Sequence, residues 1–187
     1  PDGTPVPSDL QNVNLRMVGY THDKQLGFRW SRLQDVTYGY GLLMNDYDTG
    51  SAGSMEFNMS KAGISVFADY QPVRVDALYS ASNLLASRAT YTLSPDLILG
   101  RPVILGATVV SDSDGVKDAS EALIRDKGLG YSADAAIPVV EKLMILYSEY
   151  AKIQDHGYGI SSGVKGDIGD SFGYGLGYSI YGAGFVP

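Results

Sequence analysis

The chain has 187 residues, with 14 Lys and Arg against 21 Asp and Glu, a formal charge of −7, and no Cys. That length builds a core without staples, and the missing Cys excludes disulfide scaffolds and thiolate metal sites. The acidic balance excludes the basic stripes of a nucleic-acid footprint. Apolar residues make up 44%, and Gly (23) and Tyr (14) are abundant. Such a composition is not that of a disordered chain, and no apolar run is long enough for a membrane-spanning helix.

Residues 1–11, opening Pro1-Asp2-Gly3-Thr4-Pro5, read as an extended tail, and residues 12–187 as one β domain. With Pro1 first and no initiator Met or signal peptide, the chain reads as a mature product or a part of something larger. From Asn12 the pattern has period two, which puts alternate side chains on opposite faces of a strand. Val13, Leu15 and Met17 alternate with Asn14 and Arg16; Leu26, Phe28 and Trp30 alternate with Gly27, Arg29 and Ser31. Val36, Tyr38, Tyr40, Leu42 and Met44 alternate with Thr37, Gly39 and Gly41, and Met55, Phe57 and Met59 with Glu56 and Asn58. The same reading gives Ile64–Tyr70 opposite Ser65 and Asp69, Val73–Tyr79 opposite Arg74 and Asp76, and Ala89–Leu93 opposite Arg88 and Thr90. Residues 101–111 are apolar on both faces. Over 143–153 no single alternation works, because Glu149 falls on the apolar side, and a bulge near Tyr147–Tyr150 would restore the phase. Ile160, Val164 and Ile168 oppose Lys165 and Asp167, and Phe172–Ile180 alternate with Gly173, Gly175 and Gly177. Apolar residues at 119, 122, 123 and, less regularly, 124 predict a short helix over 116–127, inside a long loop over 111–128.

The expected architecture is all-β: an antiparallel, up-and-down transmembrane β-barrel of about 12 strands (8–12), with one short loop helix. Three features favour a barrel over a soluble sandwich. The interleaved face holds Gly, Ser, Asn and Arg. Tyr20, Tyr47, Tyr70, Tyr79, Tyr158 and Tyr181 gather toward strand ends, where headgroups sit. Short turns on one side face long connections (46–54 and 111–128) on the other. The segment from Leu146 to Pro187 resembles the terminal hairpins of Gram-negative outer-membrane β-barrel, porin-like proteins, whose strands mix Tyr and Gly in this way. Such barrels end on an aromatic residue, whereas this chain ends Gly184-Phe185-Val186-Pro187, which implies a trimmed terminus or a part of a larger barrel. Pro1-Asp2-Gly3-Thr4 also resembles a turn of surface-layer homology modules.

Three motifs carry weak chemistry. Gly159-Ile160-Ser161-Ser162-Gly163 fits the G-x-S-x-G elbow, but no helix follows and His156 lies upstream. Gly173-x-Gly175-x-Gly177 lacks the spacing of a dinucleotide fingerprint; it flattens one strand face where a side chain or plug must come close. Asp112, Asp114 and Asp118 are a weak calcium candidate without the closing Glu. His22 and His156 lie at separate turns. No catalysis, metal or cofactor is therefore expected.

The informative set is the charge on the small-residue faces: Arg16, Arg29, Glu56, Asp69, Arg74, Asp76, Arg88, Lys165 and Asp167. With the apolar faces in lipid, all nine would line a pore. A passive pore for ions and small solutes, or an envelope scaffold, in the bacterial outer membrane is the expected function. The lipid bilayer and permeating ions or solutes would be its partners, with a homo-oligomer or a surface-layer protein as further candidates. The rival is a soluble, secreted or surface β-sandwich used for binding or adhesion.

Overall fold

The computed structural model describes residues 17–49, 62–98, 100–113, 116–117, 123–125, 128–140, 142–169 and 172–185. Ten strands form one antiparallel meander: β1 (Met17–His22), β2 (Leu26–Arg32), β5 (Ala62–Tyr70), β6 (Val73–Ser80), β7 (Leu84–Ile98), β8 (Arg101–Asp112), β11 (Gly128–Val140), β12 (Met144–Ile153), β13 (Gly157–Ile168) and β14 (Phe172–Tyr181). Each strand pairs with its neighbour in the order of the chain. Two small ladders interrupt the meander: β3 (Val36–Tyr38) with β4 (Met44–Tyr47), and β9 (Val116–Lys117) with β10 (Leu123–Arg125).

All-β and antiparallel are therefore the observed class. The sheet is open among the described residues, with β1 and β14 as its edges. The loop helix expected over 116–127 is replaced, where that segment is described, by the β9–β10 ladder. Apolar positions 119, 122, 123 and 124 span less than two helical turns, too little to offset helix nucleation. The tail 1–11, with its Pro-Asp-Gly-Thr turn, lies outside the described residues, as do Met55, Phe57 and Met59.

The register assigns the two faces. On one face Phe28 lies opposite Val66, Val75 opposite Ala89, Leu105 opposite Ala135, Leu146 opposite Val164, and Val164 opposite Leu176. These side chains are exposed or half-buried, Leu176 at 74%. The other face carries Arg29, Asp69, Arg74, Asp76, Arg88, Thr108, Asp134, Glu149 and Lys165. A soluble sandwich buries the apolar face; this sheet does the reverse.

What covers the polar inner face is the β3–β4 hairpin, residues 33–49. The alternation over Val36–Met44 reads as a spanning strand, but Gly39 (φ 69°) and Gly41 (φ 87°) adopt left-handed backbone that turns the segment back on itself. Arg32 pins the base of this insertion with two hydrogen bonds to Asp48, 3.0 and 2.8 Å. Two small cores form beneath it. Leu33, Tyr38 and Met44 pack on Leu78 and Ala86, while Leu42 packs with Ala151, Ile153 and Phe185. Phe185 stacks on Tyr181, with ring centroids 5.7 Å apart. The aromatic residue near the end of the sequence thus anchors the insertion, and β14 itself ends on Tyr181.

One end of the sheet has short turns (23–25, 71–72, 99–100, 141–143 and 169–171). The other holds both long connections, 33–61 and 113–127. We call these the turn end and the loop end. On the outer face, Trp30 and Tyr79 flank Ile64 near the loop end, and Tyr131 and Tyr158 flank Lys152 toward the same end. Tyr70 and Tyr91 flank Val73 near the turn end. Six residues separate Tyr79 from Val73, about 20 Å along a strand at ~3.3 Å per residue. On this register no Asp, Glu, Lys or Arg of the described residues faces outward between the two aromatic levels.

Candidate functional site

The centre of the inner face is an ionic cluster roofed by the hairpin. Arg88 on β7 makes a bidentate pair with Asp134 on β11, Nη1 to Oδ2 at 2.6 Å and Nη2 to Oδ1 at 2.9 Å, and Nη1 also donates to Thr108 Oγ1 at 3.0 Å. The Arg88 side chain is 12% exposed and that of Asp134 is 0% exposed. Gly106 lies directly beneath this pair, and an added Cβ would collide with both partners. The small residue at 106 is therefore what lets the charges sit against the wall.

Glu149 on β12, 1% exposed, holds the hairpin. Its Oε2 accepts the backbone N–H groups of Tyr40 (3.0 Å) and Leu42 (3.1 Å). A buried carboxylate accepting two main-chain donors fixes the tip of the insertion by charge-assisted bonds. Tyr40 stacks on Tyr147 with centroids 4.3 Å apart and an interplanar angle of 4°. Lys165 Nζ lies 4.3 Å from the centroid of the Tyr40 ring, a cation–π contact. Arg88 and Lys165 against Asp134 and Glu149 give the cluster two charges of each sign; Arg88, Asp134 and Glu149 are the members drawn out of water, and Lys165 remains exposed.

Burial raises the phenols of Tyr38 and Tyr40 in the hairpin to about 12, Asp76 adding to the shift at Tyr38 and Asp134 at Tyr40. Both remain neutral hydroxyls across the physiological range. A second ionic group lies toward the turn end, where Arg74 bridges Asp76 (2.8 Å) and Asp69 (3.3 Å) and stands over the Phe67 ring at 5.4 Å. It is more open to solvent than the Arg88 pair.

The Gly-rich stripe of β13 and β14 has a specific occupant. The Tyr147 hydroxyl lies 2.8 Å from the place a Cβ would take at both Gly163 and Gly177. The ring is laid flat on the wall, which presents it to Tyr40. Gly177→Val is expected to lift Tyr147 out of its stack and cost about 1–3 kcal/mol. Gly175→Val, whose Cβ would stand 3.9 Å from Lys165 Cβ, is expected to be tolerated. Denaturant unfolding of the two variants in micelles measures the difference.

Of the nine charged residues expected on the inner face, Arg29, Asp69, Arg74, Asp76, Arg88, Lys165 and Asp167 are on it. The structure joins Arg88 and Lys165 to the central cluster and Asp69, Arg74 and Asp76 to one another; Asp167 is exposed and interacts with Lys165, while Arg29 is exposed away from both groups. Arg16 and Glu56 lie outside the described residues. Met17, expected on the apolar face, pairs with Ser31 on the inner one. Tyr47, expected at a headgroup level, instead donates its hydroxyl to Ser80 Oγ inside the fold (2.7 Å). Asp112 is described, whereas Asp114 and Asp118 are not, and no group of three metal-ligating residues occurs among the described ones. Ser161 Oγ accepts from Ser179 Oγ at 3.0 Å. His22 approaches Asp23 at an exposed turn.

Asp134 and Glu149 are the two charged residues of the central cluster that sequence reasoning did not place in the site, and Thr108, Tyr40 and Tyr147 were not placed there either. No protein family, curated protein or solved structure matches this chain.

Proposed function

We propose that the chain forms wall of an outer-membrane β-barrel, its apolar face against lipid and its polar face toward a lumen narrowed by the β3–β4 hairpin. The carrying observation is the inversion of the sheet: large apolar side chains point away from the molecule while a paired ionic cluster sits beneath the hairpin. Leaving one such side chain in water forgoes about 1.5–3 kcal/mol relative to burying it. A hydrocarbon solvent removes that cost along the whole face. A charge on the same face at mid-depth would cost about 2–4 kcal/mol, and the outward charges of the register, Arg32, Arg101 and Lys152, lie toward the strand ends.

The edges β1 and β14 each carry a row of backbone groups that a bilayer cannot satisfy. They run in opposite directions across the sheet, so β1 can pair with β14 directly, or further strands can complete the ring. A soluble binding sandwich would need a second layer on the apolar face. Among the described residues, the second layer lies on the other face.

The function is a passive path for ions and small solutes, with cations favoured by the acidic balance of the chain. Planar-bilayer recording of the detergent-purified protein tests it. Discrete, ohmic current steps with modest cation preference are expected; a bilayer that stays silent at high protein concentration removes the pore and leaves only a scaffold.

A further inference from the structure

The loop end of the hairpin encloses a hollow that neither the ionic cluster nor the Tyr stack uses. A half-open cavity of about 180 Å³ lies between β4 and the inner face of the sheet. Leu43 and Met44 form its roof, and Leu84, Val110 and Ile153 its lower walls. Gly128 and Gly130 line its floor without side chains, so the hairpin can stand off the sheet without the gap being filled from below. Leu43 already occupies the near corner, its Cδ1 standing 2.5 Å from where a Cβ on Gly130 would be.

Asn45, Tyr47 and Asp112 also line the cavity, and their polar groups have partners. The Tyr47 hydroxyl donates to Ser80 Oγ at 2.7 Å. The Asn45 carbonyl oxygen accepts from Thr37 and its amide donates to Asp46, both at 3.3 Å. Asp112 has partners of its own. A buried water needs two to four polar partners, and a cavity of ~150 Å³ lined by aliphatic side chains stays dry and takes benzene. The geometry points to a binding site for an uncharged apolar molecule the size of one six-membered ring, at the loop-end mouth of the inner face. A sugar or an ion would bring polar groups that these aliphatic and thioether walls leave unpaired, at a cost of several kcal/mol. The site is built by the hairpin on the sheet and goes beyond the pore reading; it does not require that current flow.

Protein labelled with ¹³C at the methionine methyls, held in micelles and titrated with benzene, tests the site. Met44 lines the cavity and is 5% exposed, whereas Met17 on β1 lies outside it, is 59% exposed, and reports the unsaturable response to dissolved benzene. The Met44 resonance is expected to shift and saturate while that of Met17 drifts linearly. Val110→Phe, which fills the hollow, is expected to abolish the saturable shift. Ile153→Ala enlarges it and is an independent arm should the filled variant fold poorly: Met44 then responds saturably to naphthalene, to which the parent protein does not. A Met44 response that only parallels Met17, or a saturable one that survives Val110→Phe, overturns the proposal, as does an Ile153→Ala protein indifferent to naphthalene.

Discussion

Asp134→Ala is expected to destabilise the folded sheet by about 3–5 kcal/mol, because it leaves the Arg88 guanidinium buried without its bidentate partner. Glu149, the remaining anion of the cluster, is already engaged by two backbone donors of the hairpin. The comparison that isolates burial is Arg74→Ala. Its ion pairs with Asp69 and Asp76 have a side chain 47% exposed, and exposed pairs contribute ~1 kcal/mol or less. Replacing Arg88 by Met and Asp134 by Leu together is expected to recover much of the loss of the single variant, since desolvation of both charges disappears with them. Urea unfolding in one detergent, read by circular dichroism, supplies all four values.

Glu149→Ala carries the second large effect. It removes one oxygen that accepts two main-chain N–H groups and leaves both donors under the hairpin unsatisfied, each at about 1–3 kcal/mol. The tip of the insertion then keeps the Tyr40–Tyr147 stack, the Lys165 contact with Tyr40 and the Leu42 cluster. The expected outcome is a hairpin that leaves the wall and a larger unit conductance than the parent protein. Glu149→Gln, which keeps a carbonyl oxygen at the same place, should fall between the two. Because the chain has no Cys, Leu42→Cys supplies a readout independent of current. A water-soluble maleimide is expected to label it slowly in the parent background and at least tenfold faster with Glu149→Ala. Equal labelling rates would mean that Glu149 does not hold the hairpin.

Much of this wall is legible in the amino-acid order. Period-two alternation over Leu26–Trp30, Ile64–Tyr70, Val73–Tyr79 and Phe172–Ile180 assigned both strand and face, because a one-residue slip would exchange every side chain. The charges expected on the small-residue faces share one face of the sheet, within the described residues, for that reason. Three things were hidden. The segment 128–140 alternates as well, Leu129, Tyr131 and Ile137 against Gly130, Ser132 and Asp134, but Ala at 133, 135 and 136 flattens the contrast. With that strand unread, Asp134 had no face. Glu149 falls on the apolar side of the alternation over 143–153, and a bulge near Tyr147–Tyr150 was expected to restore the phase. The register shift instead lies between Pro138 and Val140 on β11, and β12 runs unbroken against β13 with Tyr147 and Glu149 both inward.

The third is the hairpin. Val36–Met44 satisfies the strand alternation, and only the left-handed backbone at Gly39 and Gly41 shows that it folds inward. An inserted segment that packs on the wall needs apolar residues on its wall-facing side, as a lipid-facing strand does on its outer one. Tyr38, Leu42 and Met44 therefore give the same signal for opposite reasons. What separates the two cases is the partner surface: Gly106, Gly163 and Gly177 mark the wall positions that must stay bare.

The orientation of the sheet is the claim on which the rest stands, and Trp30, the one Trp in the chain, reports it. It lies on the outer face opposite Ile64, at the loop-end aromatic level. In vesicles, its emission is predicted to be quenched by lipids brominated along the acyl chain and shielded from aqueous acrylamide. Full quenching by acrylamide with no response to brominated lipid, from a protein that stays monodisperse without detergent, would contradict the account.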